Sequence, residues 1–141
     1  MVRINLVNPK FLTDQHLVAE YDEILMLVNH TKKYPKPKKE VKAYKLGKGH
    51  INFFKNKMKY LKERHELIKK EMIRRGFKTR KSVSFSGLDK KQLKNWEPKD
   101  PDLKLIKRRL IQKINKKPTW YRYYGENIGK KKLLEITKNA K

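Results

Sequence analysis

Apolar residues recur in helical register at three places along the chain. Leu17, Tyr21, Ile24 and Val28 are spaced four, three and four apart, with Val18 and Leu25 widening the stripe, and the helix-start residues Thr13 and Asp14 precede them. The pattern predicts a helix from Asp14 whose stripe faces a core. Phe54, Met58, Leu61, His65, Ile68 and Met72 alternate four and three apart in a second, longer run. Arg74-Arg75-Gly76-Phe77 closes it with cations in the last turn and a glycine at the left-handed position. Leu103, Ile106, Leu110 and Ile114 form the inner face of a third helix, which Asp102 caps after Pro101 and Pro118 stops.

The segments between these runs carry no sustained period. Residues 31–48 hold eight lysines and two prolines, with Glu40 the one acid and Tyr34, Val41 and Tyr44 scattered among them, and read as a solvated connector. Gly47-Lys48-Gly49-His50 reads as a tight turn, since the longer glycine fingerprint and preceding strand of a phosphate-cradling loop are missing. Residues 77–101 mix Ser, Gly, Pro and Lys with Leu88, Leu93 and Trp96, an irregular and partly ordered connection. No internal repeat or heptad array is visible. The expectation is an all-α, compact single domain over residues 1–141, with three helices, long ordered loops, and a basic, flexible tail from about residue 129.

Charge narrows the class of partner. The chain has 141 residues and 39 Lys plus Arg against 14 Asp plus Glu, a net charge of +25 that calls for a polyanion. An apolar content of 37% with 10% aromatic residues suffices for a core and argues against a purely disordered basic tail. No uncharged apolar run approaches the length of about 18 residues that a membrane span needs, and the start of the chain lacks the layout of a secretory signal, so a cytoplasmic, DNA-associated location is expected. The absence of cysteine excludes disulfides, thiolate catalysis and Cys-ligated zinc. Lysines outnumber arginines 31 to 8, which suits phosphate tracking more than base-reading forks.

Several constellations can carry chemistry. His16, Glu20 and Glu23 share one helix face, which reads as a metal site, as a plain polar face, or as a support for Glu23 alone acting beside an amine or sugar carbon. His30, His50 and His65 read as structural or exposed singletons. Arg3 puts a phosphate-binding fork next to the chain start. If Met1 is removed, the α-amine of Val2 has a reference pKa of about 7.7–8.0 against about 10.4 for lysine, a ready nucleophile for imine formation at neutral pH. An ordinary N-terminus is the other reading. The face with Arg109, Lys113 and Lys116 suits a phosphate backbone. Four of the fourteen aromatics lie between Trp120 and Tyr124 around Arg122. They stack on bases or pin the C-terminal segment to the first helix; pinning is favoured for Trp120 and Tyr123, while Tyr121 and Arg122 stay open.

Arg3-Ile4-Asn5-Leu6, Asp14-Gln15-His16-Leu17, Ala19-Glu20-Tyr21 with Glu23, Leu46-Gly47-Lys48-Gly49-His50 with Phe53-Phe54, Arg75-Gly76-Phe77 and Pro118-Thr119-Trp120-Tyr121-Arg122-Tyr123-Tyr124-Gly125 together resemble the pyrimidine-dimer DNA glycosylase family. Order and spacing match over most of the chain, failing between about Lys78 and Leu105 and in the tail. The resemblance implies a compact three-helix all-α domain, a DNA repair glycosylase with abasic-site lyase activity. Its partner is double-stranded DNA carrying a lesion or abasic site; it acts as a monomer, without metal or other cofactor. It makes the Val2 amine the nucleophile and Glu23 the carboxylate that stabilises the cationic imine and assists β-elimination. Arg3, Gln15 and His16 match positions lining the lesion, Arg109 and Lys113 match phosphate-holding positions, and Arg122 beside Tyr121 matches a basic position among the aromatics. Three positions depart from the family pattern: Val2 stands for threonine, and Asp22 and Met26 stand for arginines, which bears on lesion recognition more than on lyase chemistry. The alternatives are a non-catalytic basic DNA- or RNA-binding protein and a metal-dependent nuclease using His16, Glu20 and Glu23.

Overall fold

Residues 4–7 are buried. Ile4, Leu6 and Val7 point into the core, yet among the described residues there is no strand for this segment to pair with, only the isolated bridges Lys57–Leu93 and Tyr123–Glu126. The computed structural model describes residues 3–36, 39 and 41–141. In these, a 3-10 turn at Pro9–Phe11 is followed by the helices α1 (Asp14–Lys33), α2 (His50–Phe54), α3 (Met58–Arg74), α4 (Asp100–Lys116) and α5 (Lys130–Lys138). The all-α expectation holds, with five helices in place of three.

The three expected helices are α1, α3 and α4. Thr13 caps α1, its hydroxyl accepting the His16 N–H at 3.2 Å. Leu17, Tyr21, Ile24 and Val28 are buried as their spacing requires; Leu27 joins them, whereas Val18 is exposed. α1 also runs through Thr31 into the lysine-rich connector, because the buried Thr31 hydroxyl donates to the Leu27 carbonyl at 2.8 Å instead of meeting solvent. Met58, Leu61, His65, Ile68 and Met72 are the buried face of α3, which packs against α1 with Tyr21 stacked on His65 at 4.9 Å. The single run read from Phe54 is two helices, since the chain breaks before Met58, whose N–H goes to the Gln92 carbonyl at 2.9 Å. At the end of α3, Phe77 N–H reaches Met72 O (2.8 Å) and Gly76 N–H reaches Ile73 O (3.0 Å), a Schellman cap that needs the left-handed φ of +82° at Gly76. α4 begins at Asp100, two residues before the expected cap, and Asp102 instead accepts the Lys99 N–H at 2.9 Å.

The connectors are less solvated than their composition suggests. Tyr44 is buried in an aromatic cluster with Phe53, Phe54 and Trp96, and its hydroxyl donates to Ile4 O at 2.8 Å. The segment expected as a flexible tail forms α5, packed on α4 with Leu133, Thr137 and Ala140 buried. Its opening lysines mask an amphipathic pattern. Ile114, Tyr121 and Leu133 form a small second cluster, while Ile106 and Leu110 join the main core.

Side chains satisfy the backbone of the chain start. Arg3 N–H donates to Glu23 Oε2 (3.0 Å), Ile4 N–H to His50 Nε2 (2.8 Å) and Asn5 N–H to Glu20 Oε1 (3.0 Å), and Arg64 Nη1 donates to Val7 O (2.7 Å). Between Asn5 and Val7 the chain makes a three-residue turn, Val7 N–H to Asn5 O at 2.6 Å, with Leu6 at φ +61°. Such a conformation costs a leucine about 1–3 kcal/mol and persists only where neighbours over-determine it. Here the neighbours are Glu20 and Arg64, which grip both sides of the turn and each other, Arg64 Nη2 to Glu20 Oε1 at 3.1 Å, with both side chains buried. Arg64→Met leaves the Glu20 carboxylate buried and unpaired, so urea melts should show a loss of about 3–5 kcal/mol, part of which Glu20→Gln restores in the double variant. A single-variant loss under about 1 kcal/mol, the value of an exposed pair, contradicts this account.

Candidate active site

α1 carries the centre of the site. Along it the buried Glu20 accepts the Asn5 N–H and the half-buried Glu23, about one turn on, accepts the Arg3 N–H. Burial pushes the Glu23 carboxyl up, the Arg3 N–H and guanidinium work against it, and the Glu20 charge adds to it, leaving a pKa of about 7. Glu23 therefore titrates near neutrality. Val2, the expected nucleophile, lies outside the described residues.

His16 sits on the same face but is not a solvent-facing group. It is buried, its Nδ1 lies 3.0 Å from the Thr13 hydroxyl, and its ring stacks on Tyr121 at 4.6 Å. Burial, reinforced by the Arg3 and Lys113 charges, lowers its pKa to about 3, so it is a neutral imidazole at physiological pH. Its Nε2 is buried with no hydrogen-bond partner among the described residues. The metal-site reading of His16, Glu20 and Glu23 fails on geometry: Glu20 is occupied by Arg64 and Asn5, and no group of three such ligands is brought together among the described residues.

Arg3 and Arg109 come together across the chain start and α4. They line a pocket of about 360 Å³ with Leu46, Gly47, His50, Arg108 and Gln112. Lys113 lies one turn beyond Arg109, whose charge, more than partial burial or Arg3, lowers the Lys113 pKa. Arg108 and Gln112 were not singled out in the sequence, where any helix of so basic a chain shows a row of cations. His50 is indeed structural, holding Ile4 N–H on Nε2 with Nδ1 2.8 Å from Lys45 O, an arrangement that fits a neutral ring, and burial lowers its pKa accordingly.

The aromatic segment divides differently from the expectation. Tyr121, 5% exposed, does the pinning through His16, and Tyr123 is half-buried with its hydroxyl on Lys10 O at 2.7 Å. Trp120 is 54% exposed, with the Lys117 ammonium 5.6 Å from its ring centre, and Arg122 is exposed beside it. Gln15 does not project freely: its amide donates to Trp120 O and accepts Arg122 N–H, both at 2.8 Å, which clasps the segment to the start of α1. Asp22 is paired with Lys81 at 3.0 Å across two partly exposed side chains, and Met26 is exposed on the same face.

Thus a half-buried carboxylate held by the Arg3 backbone shares helix α1 with a neutral histidine stacked on the aromatic segment, in a chain of net charge +25. The sequence profile of pyrimidine dimer DNA glycosylases matches residues 1–85 of the 141. The chain belongs to the pyrimidine dimer DNA glycosylase family. DNA is therefore its substrate class, and the matched region contains Arg3, Gln15, His16 and Glu23; Arg109, Lys113, Tyr121 and Arg122 lie beyond it. No helix among the described residues is long and apolar enough to cross a membrane.

The raised Glu23 pKa carries a stability signature. The unfolded chain releases this proton near pH 4.5 and the folded glycosylase holds it to about 7, so the carboxyl destabilises the fold progressively between these values and fully above them. Glu23→Gln keeps a carbonyl acceptor for the Arg3 N–H without the charge. Thermal melts should show the variant more stable than the parent at pH 8, with the difference vanishing below pH 4.5; a less stable variant at pH 8 contradicts the assignment.

Proposed function

We propose that this family member is a DNA glycosylase with an associated abasic-site lyase activity, in which the α-amine of residue 2, freed by removal of Met1, is the nucleophile and Glu23 the catalytic carboxylate. The observation that carries the reading is the hydrogen bond from the backbone of Arg3 to Glu23, in a family whose activity is carried out on the glycosidic bond. The carboxylate bonds the backbone N–H of residue 3, one peptide bond from the residue whose amine would react.

In the proposed reaction the amine attacks C1′ of the damaged nucleotide. The N–C1′ bond forms as the glycosidic bond breaks, and the base leaves with the bonding electron pair and takes up a proton. Loss of the amine proton and ring opening give an imine, whose positive charge the ionised Glu23 stabilises. Removal of a 2′ proton then expels the 3′ phosphate by β-elimination, and water releases the amine. Arg3, Arg109, Lys113 and Arg122 supply phosphate contacts, Gln15, His16 and Tyr121 shape the lesion side, and the protein acts as a monomeric single domain without a cofactor. Asp22 is balanced by Lys81, so its replacement of a cation leaves no bare negative charge against the DNA.

The amine and Glu23 are both required in deprotonated form, so incision should speed up as pH rises through about 7, with DNA phosphates moving the Glu23 midpoint higher still. Borohydride trapping, in EDTA, on duplexes with an abasic site or a cyclobutane thymine dimer tests the mechanism. The expected result is an adduct with both, mapping to residue 2, and a trapping rate lower by about 100-fold or more in Glu23→Gln. An adduct with the abasic site alone retains the lyase and removes the dimer specificity. No adduct, with DNA binding intact, overturns the enzyme in favour of a basic nucleic-acid binder.

A further inference from the structure

Arg75 is the C-cap residue of α3, and nothing in the proposed chemistry uses it. Its side chain is completely buried. Every donor of its guanidinium is engaged: Nε with Glu71 Oε2 (2.8 Å), Nη1 with Leu12 O (2.8 Å) and Asp14 Oδ1 (3.0 Å), Nη2 with Pro9 O (3.2 Å) and Lys10 O (3.3 Å). The rings of Tyr123 and Tyr124 lie 4.8 Å from its central carbon. One planar cation thus ties together the end of α3, the turn before α1 and the aromatic segment.

Its partners hold the aromatic segment in a conformation that the segment would not choose alone. Asp14, fixed by Arg75, accepts the N–H groups of Tyr124 (3.0 Å) and Gly125 (2.7 Å). Glu71, also fixed by Arg75 and bonded to Arg74, accepts the Tyr124 hydroxyl at 2.9 Å. Burial alone would raise the Glu71 pKa, but the hydrogen bonds from Arg75 and Tyr124 and the two arginine charges lower it, so the carboxylate stays ionised. Tyr124 sits at φ +54°, a left-handed backbone unfavourable for a tyrosine, and Gly125 follows at φ +79°. That reversal turns the chain so that Trp120 and Arg122 face solvent while Tyr121 stacks on His16.

We propose that Arg75 is a positioning residue for DNA engagement: its buried guanidinium, by holding Asp14 and Glu71, sets the pose of the Trp120–Gly125 segment that presents Arg122 and backs His16. The proposal rests on the reading of that segment as DNA-facing. Only a fork can serve, because lysine offers a point charge that cannot reach Glu71, Asp14 and three carbonyls at once.

The test is single-turnover incision of an abasic duplex by the full-length protein and its variants, with melting temperatures measured alongside. For Arg75→Lys the half-saturating concentration should rise about tenfold while the rate at saturation stays within about twofold of the parent, because contacts to DNA are lost and the Glu23 chemistry is untouched. A purely structural role lowers the melting temperature and the active fraction but leaves half-saturation unchanged, and that result overturns the proposal. If Arg75→Lys does not fold, Tyr124→Phe, which removes only the bond to Glu71, should raise half-saturation by about threefold; no rise overturns the proposal as well. Arg122→Ala separates the two failures. If it weakens half-saturation and Arg75→Lys does not, the positioning role falls alone; if Arg122→Ala has no effect, the DNA-facing reading of the segment falls and takes this inference with it.

Discussion

The segment of residues 3–7, buried from Ile4 on and with no strand partner among the described residues, must have its backbone groups satisfied by something else, and that constraint organises this protein. The N–H groups of Arg3, Ile4 and Asn5 and the carbonyls of Ile4 and Val7 are met by Glu23, His50, Glu20, Tyr44 and Arg64, contributed by α1, α2, α3 and the connector. The Glu20–Arg64 pair is the centre of this set, since it holds both sides of the strained turn at Leu6 while joining α1 to α3. Leaving any of these backbone groups unpaired in the core would cost on the order of 1–3 kcal/mol each. The polar core of the molecule is therefore spent on fixing the direction of its first residues.

The same arrangement sets the electrostatics of the site. Glu23 is half-buried beside a second carboxylate in an otherwise cationic molecule, which brings its proton equilibrium to the neutral range where a charge that appears during reaction can be matched. His16 is driven in the opposite sense and is neutral, so it adds no positive charge to this face of α1. Arg3, Arg108 and Arg109 line the pocket with positive charge, and Lys113 lies one turn beyond Arg109 on α4. At the far edge of the site the Arg75 network does for the aromatic segment what Glu20 and Arg64 do for the chain start: a buried arginine–carboxylate cluster imposes a backbone conformation that short-range preference opposes.

Much of this was legible in residue spacing. The stripes of α1, α3 and α4 are apolar at i, i+3 and i+4, and a stripe of that kind has few alternatives to burial. Arg3 stood out by its place next to the chain start, and Glu23 by the helix face it shares with His16 and Glu20 and by the family resemblance. What escaped depends on pairing across distance. Glu20 looked like part of a polar face because its partner Arg64 is 44 residues away; Tyr44 looked solvated because lysines surround it in sequence and aromatics surround it in space. α5 was hidden by its opening lysines, although Leu133, Ile136 and Thr137 follow helical spacing. Trp120, expected to pin the segment, is exposed, and Tyr121, whose role stayed open, is buried in its place, in a segment whose left-handed backbone at Tyr124 no propensity suggests for tyrosine.

The proposed function depends most on position: in it, the side-chain clamps on Arg3, Ile4 and Asn5 aim the amine of residue 2 at its target next to Glu23. A glycine inserted between Met1 and Val2 keeps a small, processable terminus and every clamp but moves the amine by about 3.5 Å along the chain. The measurement is the rate of borohydride-trapped adduct on a saturating abasic duplex. The account predicts unchanged DNA affinity and melting temperature with trapping slower by about 100-fold, as expected for misplaced reacting atoms. Trapping at the parent rate, on the inserted glycine or on a lysine, would contradict it.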